Sequence, residues 1–155
     1  MDKLNVKNLI NIKVIGIGGA GNNAVNRMIE DGIEGVEFYE FNTEVKVLEE
    51  AKTKNVMQIG KEITKGLGAG GDVSIGERAA MENKEEIKNI LQGTDLLFLT
   101  AGMGGGTGTG AIPTIAQFAK EMGILTIGIV SKPFSFEGKV RMAREERGID
   151  ELSEN

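Results

Sequence analysis

The sequence predicts an α/β fold, a Rossmann-like and mostly parallel sheet with helices on both faces. Short segments rich in β-branched residues alternate with segments of helical periodicity along the 155 residues, without a repeat or a linker. This alternation is typical of parallel sheets. Fourteen of the 23 glycines also fall in three clusters that follow predicted strands. Because such sheets bind ligands at the carboxyl ends of their strands, the clusters predict one composite site.

In the first part of the chain, apolar Val25, Met28 and Ile29 recur at helical spacing and Gly32 provides a stop. The predicted elements there are a strand at residues 12–17, a helix at 22–31, a strand at 36–41, a helix at 43–51 and a short strand at 56–59.

In the second part, Ser74 and Glu77 fit a capping box that opens a helix. The apolar residues 96–99 are typical of a parallel strand covered on both faces. The predicted elements are a helix from 74 to 92, a strand at 96–99, a helix at 109–122, a strand at 124–130 and a helix at 137–152.

Composition narrows the possible functions. The chain has 18 basic and 23 acidic residues, a formal charge of −5, and no basic cluster, which argues against nucleic-acid binding. It has no cysteine and no histidine, so chemistry must rest on carboxylates, hydroxyls, backbone amides and a bound ion. No apolar segment reaches the ~18 residues that span a membrane, so we expect no membrane insertion and a cytoplasmic location.

The first glycine cluster, Gly16-Ile17-Gly18-Gly19-Ala20-Gly21, satisfies G-x-G-x-x-G between a strand and a helix. Glycines allow the backbone to approach a pyrophosphate, and the N-terminus of the next helix offers free N–H groups. A tight turn that only packs the helix on the strand is the structural alternative.

The cluster at residues 102–110 has six glycines in nine positions, between a predicted buried strand and an amphipathic helix. Such a segment can form a nest of backbone amides for an anion, and the hydroxyls of Thr107 and Thr109 could bind phosphate oxygens or ion-bound water. Glycines that only let a loop cross the sheet edge are the alternative.

Two further segments are less specific. The cluster at residues 66–71 could equally be a surface loop, and gains weight only from sharing an edge with the others. Glu137 and Arg141, four residues apart, would alone be an ordinary surface pair. No G-x-x-x-x-G-K-[ST] motif is present, so the chain is not a P-loop nucleotidase.

Together these residues resemble the tubulin/FtsZ GTPase superfamily, in particular the FtsZ proteins of bacterial cell division. Residues 102–110 contain G-G-G-T-G-T-G, and residues 12–26, 60–71 and 132–138 resemble further FtsZ loops in the right order. The resemblance implies an N-terminal extension at 1–11 and a GTP-binding domain at 12–155. Glu44 stands where Asp is usual, and Val73 where proline is frequent.

The resemblance also implies the ligands, GTP or GDP with Mg2+, and their contacts. One group would hold the diphosphate and flank the nucleoside: Gly19, Ala20, Gly21, Asn22 and Asn23. Asn42 belongs to the family's Asn-Thr-Asp element, together with Thr43. A second group would wrap the phosphates: Gly104, Gly105, Gly106, Thr107 and Gly108. Ala69, Gly70 and Gly71 would sense the γ-phosphate. Glu137 and Arg141 would contact the ribose and guanosine side.

The family's activity is GTP hydrolysis coupled to head-to-tail polymerisation at the division site, with other division proteins as partners. Its catalytic carboxylates lie in a second domain that this chain does not include, so we expect the chain alone to be inactive and assign no catalytic residue. We also expect an open sheet edge and apolar patch that favour self-association.

Two alternatives remain at this stage. An NAD-binding domain of an oxidoreductase would use the first glycine cluster and place Glu40 on a ribose hydroxyl, but has no use for residues 102–110. A non-catalytic FtsZ-like fragment that caps filaments or acts as a decoy would leave the same sequence pattern.

Overall fold

The computed structural model describes residues 10–67, 72–102 and 106–131. Its strands are β1 (Ile12–Ile17), β2 (Glu37–Asn42), β3 (Val56–Gln58), β4 (Leu96–Gly102) and β5 (Leu125–Ser131). Its helices are α1 (Gly18–Glu30), α2 (Val45–Leu48), α3 (Lys61–Thr64), α4 (Val73–Glu82), α5 (Lys84–Leu91) and α6 (Gly106–Glu121). The strands form one parallel sheet in the order β3-β2-β1-β4-β5, so the predicted fold class is confirmed.

One face of the sheet is closed by α4, α5 and α6. The chain moves from β1 to β3 in one direction and then crosses to β4 and β5, so right-handed crossovers put α1 on the opposite face from α4 to α6. The closed face contains the main core, whose fully buried strand residues are Ile15, Ile17, Phe41, Leu97, Leu99 and Ala101.

The other face is covered by α1 only over its central strands. Beyond α1, the side chains of Leu125, Ile127 and Ile129 on β5 are 66%, 42% and 45% exposed. A groove of about 220 Å³ lies beside them, between α1 and the sheet, with Phe98 in its lining. Phe98 is only half-buried, so among the described residues the expected cover of residues 96–99 is complete on one face of β4 and partial on this one.

The predicted helix from 74 to 92 is two helices. They meet at Asn83, whose Oδ1 accepts a hydrogen bond from the Gly60 amide at 2.8 Å and whose Nδ2 donates to Glu86 at 2.7 Å. The predicted capping box at Ser74 is also wrong. Asp72 is the N-cap, and its Oδ1 accepts from both the amide and the hydroxyl of Ser74, so the serine hydroxyl is already engaged.

The predicted helix at 43–51 is reduced to the single turn of α2. Thr43 is buried, and Glu44 has extended backbone (φ −102°, ψ 114°), so the helix begins only at Val45. The strand predicted at 124–130 is β5, shifted by one residue. The helix predicted at 137–152 lies outside the described residues.

Candidate functional site

The N-terminus of α1 follows directly after β1. The sequence predicted a helix from residue 22, but α1 begins at Gly18, so most of the glycine cluster is its first turn. Gly18 has a φ of 78°, which allows the abrupt change from strand to helix. Ile17 at the N-cap provides no side-chain hydrogen bond, and the first turn has no acidic residue. The first amides of α1 are therefore free of a side-chain cap, as an anion requires.

The glycines of this first cluster have different roles. A Cβ at Gly16 would collide with the carbonyl of Gly21 and lie 2.7 Å from Cγ2 of Val25, and one at Gly21 would lie 2.5 Å from the carbonyl oxygen of Thr100. Those two glycines let α1 lie on the sheet. A Cβ at Gly19, in contrast, would meet nothing within 4 Å, so Gly19 borders open space.

Asn22 connects the first glycine cluster to the end of β2. Its Nδ2 donates to the carbonyls of Gly16 at 2.9 Å and Phe41 at 3.2 Å. Its Oδ1 accepts from Nδ2 of Asn42 at 2.9 Å, and Asn42 in turn accepts the amide of Glu44 at 3.1 Å. Both asparagines are buried. Their side chains are engaged within the protein, so they fix the geometry of the site, whereas the neighbouring Asn23 is exposed.

The second glycine cluster leads into α6, which begins at Gly106 and not at the predicted residue 109. Gly106, Thr107 and Gly108 form the buried start of this helix, again without an acidic residue in the first turn. The hydroxyl of Thr109 donates to the carbonyl of Gly102 at 3.3 Å, so its proton points back to β4 and is not offered to a phosphate oxygen. Gly104 and Gly105 lie outside the described residues.

Two glycines of this cluster pack helices and strands together. A Cβ at Gly108 would lie 2.7 Å from Cβ of Ala101 and 2.8 Å from the carbonyl oxygen of Ile17. A Cβ at Gly110 would collide with the carbonyl of Val73 in α4. At these two positions glycine is therefore required for packing, as the structural alternative to phosphate binding proposed.

The starts of α1 and α6 lie side by side at the carboxyl edge of the sheet. A Cβ at Gly18 would lie 3.3 Å from the backbone nitrogen of Gly108, and one at Gly102 would lie 2.6 Å from Cβ of Ala20. For these two clusters, the expectation of one shared edge is confirmed.

Thr43, named above only as part of the Asn-Thr-Asp element and not as a ligand contact, lies beside the start of α6. It is fully buried, and its hydroxyl is 3.4 Å from that of Thr107. Its carbonyl accepts a hydrogen bond from Nε2 of Gln58 at the end of β3, at 3.2 Å. The sequence feature that could have identified Thr43 and Gln58 is their position at the carboxyl ends of the predicted strands β2 and β3.

The third cluster follows the short helix α3 and not a strand directly. Gly66 still lies near the end of β3, because a Cβ there would be 3.8 Å from Nε2 of Gln58. The predicted γ-phosphate contacts Ala69, Gly70 and Gly71 lie outside the described residues, as do Glu137 and Arg141.

Glu40 lies on β2 beneath α1 and is fully buried. A carboxylate there cannot reach the hydroxyl of a bound ribose, which removes the main support for the NAD-binding alternative. Within the described part of the chain, no group of three or more His, Cys, Asp or Glu residues could hold a metal ion, and no helix is long and apolar enough to cross a membrane.

These features define an α/β domain of the nucleotide-binding type, with two glycine-rich helix starts at one edge of a parallel sheet. Comparison with known proteins identifies the family. Residues 11–155 match the Tubulin/FtsZ family, GTPase domain, so the chain belongs to this family.

The cell division protein FtsZ of Aquifex aeolicus is 56% identical to the chain over 144 residues, which are 93% of this chain and 39% of that protein. An FtsZ W319Y mutant from M. jannaschii superposes with a TM-score of 0.90 and 44% identity, over 97% of this chain and 46% of that one. An empty FtsZ dimer from M. jannaschii gives a TM-score of 0.89 and 42% identity, over 99% and 47%. The chain therefore spans less than half the length of these relatives.

Proposed function

We propose that this chain binds GTP and GDP at the edge formed by the starts of α1 and α6. The observation that carries the proposal is the contact between two glycine-rich helix N-termini, where a Cβ at Gly18 would lie 3.3 Å from the nitrogen of Gly108. Two helix dipoles and two sets of N–H groups then act on one anion. Membership of the family selects guanine nucleotides as the ligand class.

The donors at this edge suit a phosphate chain. Neither helix has an acidic residue in its first turn, so nothing there repels an anion. Gly19 borders open space, and Thr107 adds a hydroxyl. We assign the diphosphate to Gly19, Ala20 and Gly21. Asn22 and Asn42 hold those amides in place, and Asn23 is exposed at the nucleoside side.

The remaining contacts follow the family resemblance. In this proposal Gly104, Gly105, Gly106 and Gly108 surround the phosphates, Ala69, Gly70 and Gly71 respond to the γ-phosphate, and Glu137 and Arg141 contact the ribose and guanosine side. Mg2+ would neutralise part of the phosphate charge, and we assign it no ligand from the protein. The proposed binding domain comprises residues 12–155.

For the whole protein we propose the activity of the family, GTP hydrolysis coupled to head-to-tail polymerisation at the division site in the cytoplasm, together with other division proteins. The M. jannaschii FtsZ dimer supports self-association, since it superposes over 99% of this chain at 42% identity. We assign no catalytic residue in this chain and expect hydrolysis to require a second domain from a neighbouring subunit.

The test is calorimetric titration of the folded chain with GDP, GTP, ATP and NAD in magnesium buffer. We expect saturable binding of GDP and GTP, and binding of ATP and NAD at least about tenfold weaker, a difference of about 1.4 kcal/mol. A folded sample that binds no guanine nucleotide, or binds NAD as tightly, would refute the assignment of this edge.

A further inference from the structure

Glu40 is a buried ionisable residue that has no role in the proposed function. Its side chain is fully buried, with 0% of its surface exposed. Neither carboxylate oxygen has a hydrogen-bond partner among the described residues. Burying an ionised carboxylate without a partner is strongly unfavourable, and buried charges in proteins are normally paired. Burial therefore favours the protonated, neutral form of the Glu40 carboxyl group in the folded state.

The sheet register places this carboxyl group under α1. Glu40 is the partner of Gly16 in the pairing of β1 and β2, so the two residues share a face of the sheet. At Gly16 a Cβ would lie 2.7 Å from Cγ2 of Val25 in α1, so the helix lies directly on that face. Glu40 is also opposite Val56 of β3, which offers no polar side chain.

Among the residues that the structure describes around Glu40, no charged side chain is buried with it. The charged residues of α1 that follow its first turn, and those of the segment before β3, are all exposed: Arg27, Glu30, Glu49, Glu50, Lys52 and Lys54. The amine of Lys13 on β1 donates to Ile90 and Thr94 near the end of α5, on the opposite face.

These surroundings change the acidity of Glu40. Burial raises the pKa of its carboxyl from 4.5 to about 7, and the backbone amide of Lys52 limits the rise. That amide donates its hydrogen bond to Oδ1 of Asn26 at 2.9 Å, so it stabilises the ionised form of Glu40 only weakly.

We propose that Glu40 is a pH-sensitive contact that holds α1 on β2 when its carboxyl is protonated and loosens α1 when the carboxyl ionises. The first turn of α1 contains Gly19 and Ala20, and Asn22 of the same helix is bonded to Asn42 at the end of β2. Loosening α1 therefore alters the edge of the sheet at which the two helix starts meet.

The direction of the pH dependence follows from the two pKa values. Between about pH 4.5 and pH 7 the folded chain retains a proton that the unfolded chain loses, so the folded state is favoured less as pH rises through this window. A shift of this size corresponds to a total decrease of about 300-fold in the folding equilibrium constant, which is complete about one pH unit above the folded pKa.

The consequence for ligand binding rests on the proposed function. If the edge binds guanine nucleotide, its affinity should fall as pH rises above 7 in the wild type and stay constant in Glu40→Gln. If neither protein binds nucleotide, the proposed function fails, whereas measurements on the ligand-free chain still decide the role of Glu40.

The experiment is urea unfolding of the wild type, Glu40→Gln and Glu40→Met between pH 4.5 and pH 8.5. The ratio of the variant's folding constant to that of the wild type should rise by about 150-fold across this range, because Glu40 is already half ionised in the unfolded chain at pH 4.5. Glu40→Met is the second test if the buried amide of glutamine destabilises the fold. Glu37→Gln, an exposed position on the same strand, is the matched control and should give a constant ratio.

Two further measurements locate the effect. A ¹³C NMR titration of the Glu40 carboxyl should give a pKa near 7, and hydrogen exchange of the α1 amides, corrected for the intrinsic rate, should accelerate above pH 7 in the wild type and not in Glu40→Gln. Parallel unfolding curves for wild type and both variants, a carboxyl that titrates near 4.5, or accelerated exchange that leaves α1 unaffected would each overturn the proposal.

Discussion

The starts of α1 and α6 have similar glycine-rich sequences, but their glycines are used differently. At the start of α1, Gly19 borders open space, and an added Cβ would meet nothing within 4 Å. At the start of α6, Gly108 and Gly110 are buried, and an added Cβ would meet the backbone of β1 or α4. Gly19 at the start of α1 is therefore open to a ligand, whereas Gly108 and Gly110 at the start of α6 hold the fold together, as Gly16 and Gly21 do next to Gly19. A glycine motif alone does not separate these two uses.

The largest effect that this comparison predicts is that of Gly110→Ala. The new Cβ would collide with the carbonyl of Val73 and lie 2.8 Å from the amide nitrogen of Glu77, so α4 and α6 must move apart. We expect a loss of about 3 kcal/mol in the free energy of unfolding, measured in urea.

Gly19→Ala is the matched control, because Gly19 has space for a Cβ and its backbone is not in the left-handed region. It should change stability by less than about 1 kcal/mol. Equal losses in the two variants would show that the two helix starts do not differ in packing.

The second prediction concerns ligand binding at the N-terminus of α1, where Gly19 borders open space. In Gly19→Asp, the new carboxylate would occupy the uncapped amides of α1 and repel a phosphate. We expect the affinity for GDP to fall about 100-fold, a difference of about 2.7 kcal/mol, while the free energy of unfolding is unchanged or slightly higher. Calorimetry measures the affinity, with Gly19→Ala again as the control. Unchanged GDP affinity in a folded Gly19→Asp protein would place the phosphates elsewhere.

The fold and the shared edge were predictable because their signals are local. Strand and helix periodicity, with glycines between the elements, predicted a parallel sheet with three glycine-rich clusters at one edge, and the structure brings the first and last of these together there. Which glycines serve packing and which border open space was not predictable, because it depends on contacts between residues far apart in the sequence, such as those of Gly110 with α4. The hydroxyl of Thr109 shows the same limit, since its partner is the carbonyl of Gly102, seven residues earlier in the chain.

The early starts of α1 and α6 were also not predictable from the sequence pattern. Glycine is a poor helix former, and the helices were predicted to begin at residue 22, after the first cluster, and at residue 109, before only the last glycine of the second. In the structure the first turns contain those glycines, because close packing against the sheet offsets their low propensity. Glu40 is a different case. A glutamate in a strand gives no sign of whether its side chain is exposed, and only the position of α1 shows that it is buried.

The third prediction tests the connection between the N-terminus of α1 and β2. In Asn22→Ala, the carbonyls of Gly16 and Phe41 and the side-chain Nδ2 of Asn42 would each lose a hydrogen bond in a buried environment. We expect a loss of about 2 kcal/mol in the free energy of unfolding. Asn23→Ala, at the exposed neighbouring position, should cost less than about 0.5 kcal/mol. If both variants are equally stable, the asparagine pair does not hold α1 against β2.

The smallest effect should come from changing Thr43, whose hydroxyl lies 3.4 Å from that of Thr107 at the start of α6. This distance is long for a hydroxyl pair, so the direct interaction is weak, and Thr43→Val should weaken GTP binding by only about fivefold, a difference of about 1 kcal/mol. Thr107→Val, which removes the proposed phosphate contact itself, should cost about tenfold. Thr43→Ser retains the hydroxyl and should bind nearly as the wild type does.

A double-mutant cycle on GTP affinity separates positioning from packing. If Thr43 acts through Thr107, the loss caused by Thr43→Val should largely disappear when residue 107 is already valine, because the hydroxyl that it positions is gone. Additive losses would mean that Thr43 affects the site independently of Thr107. A Thr43→Ser variant as weak as Thr43→Val would assign the effect to the methyl group and its packing, and the start of α6 would then lack a hydroxyl connection to β2.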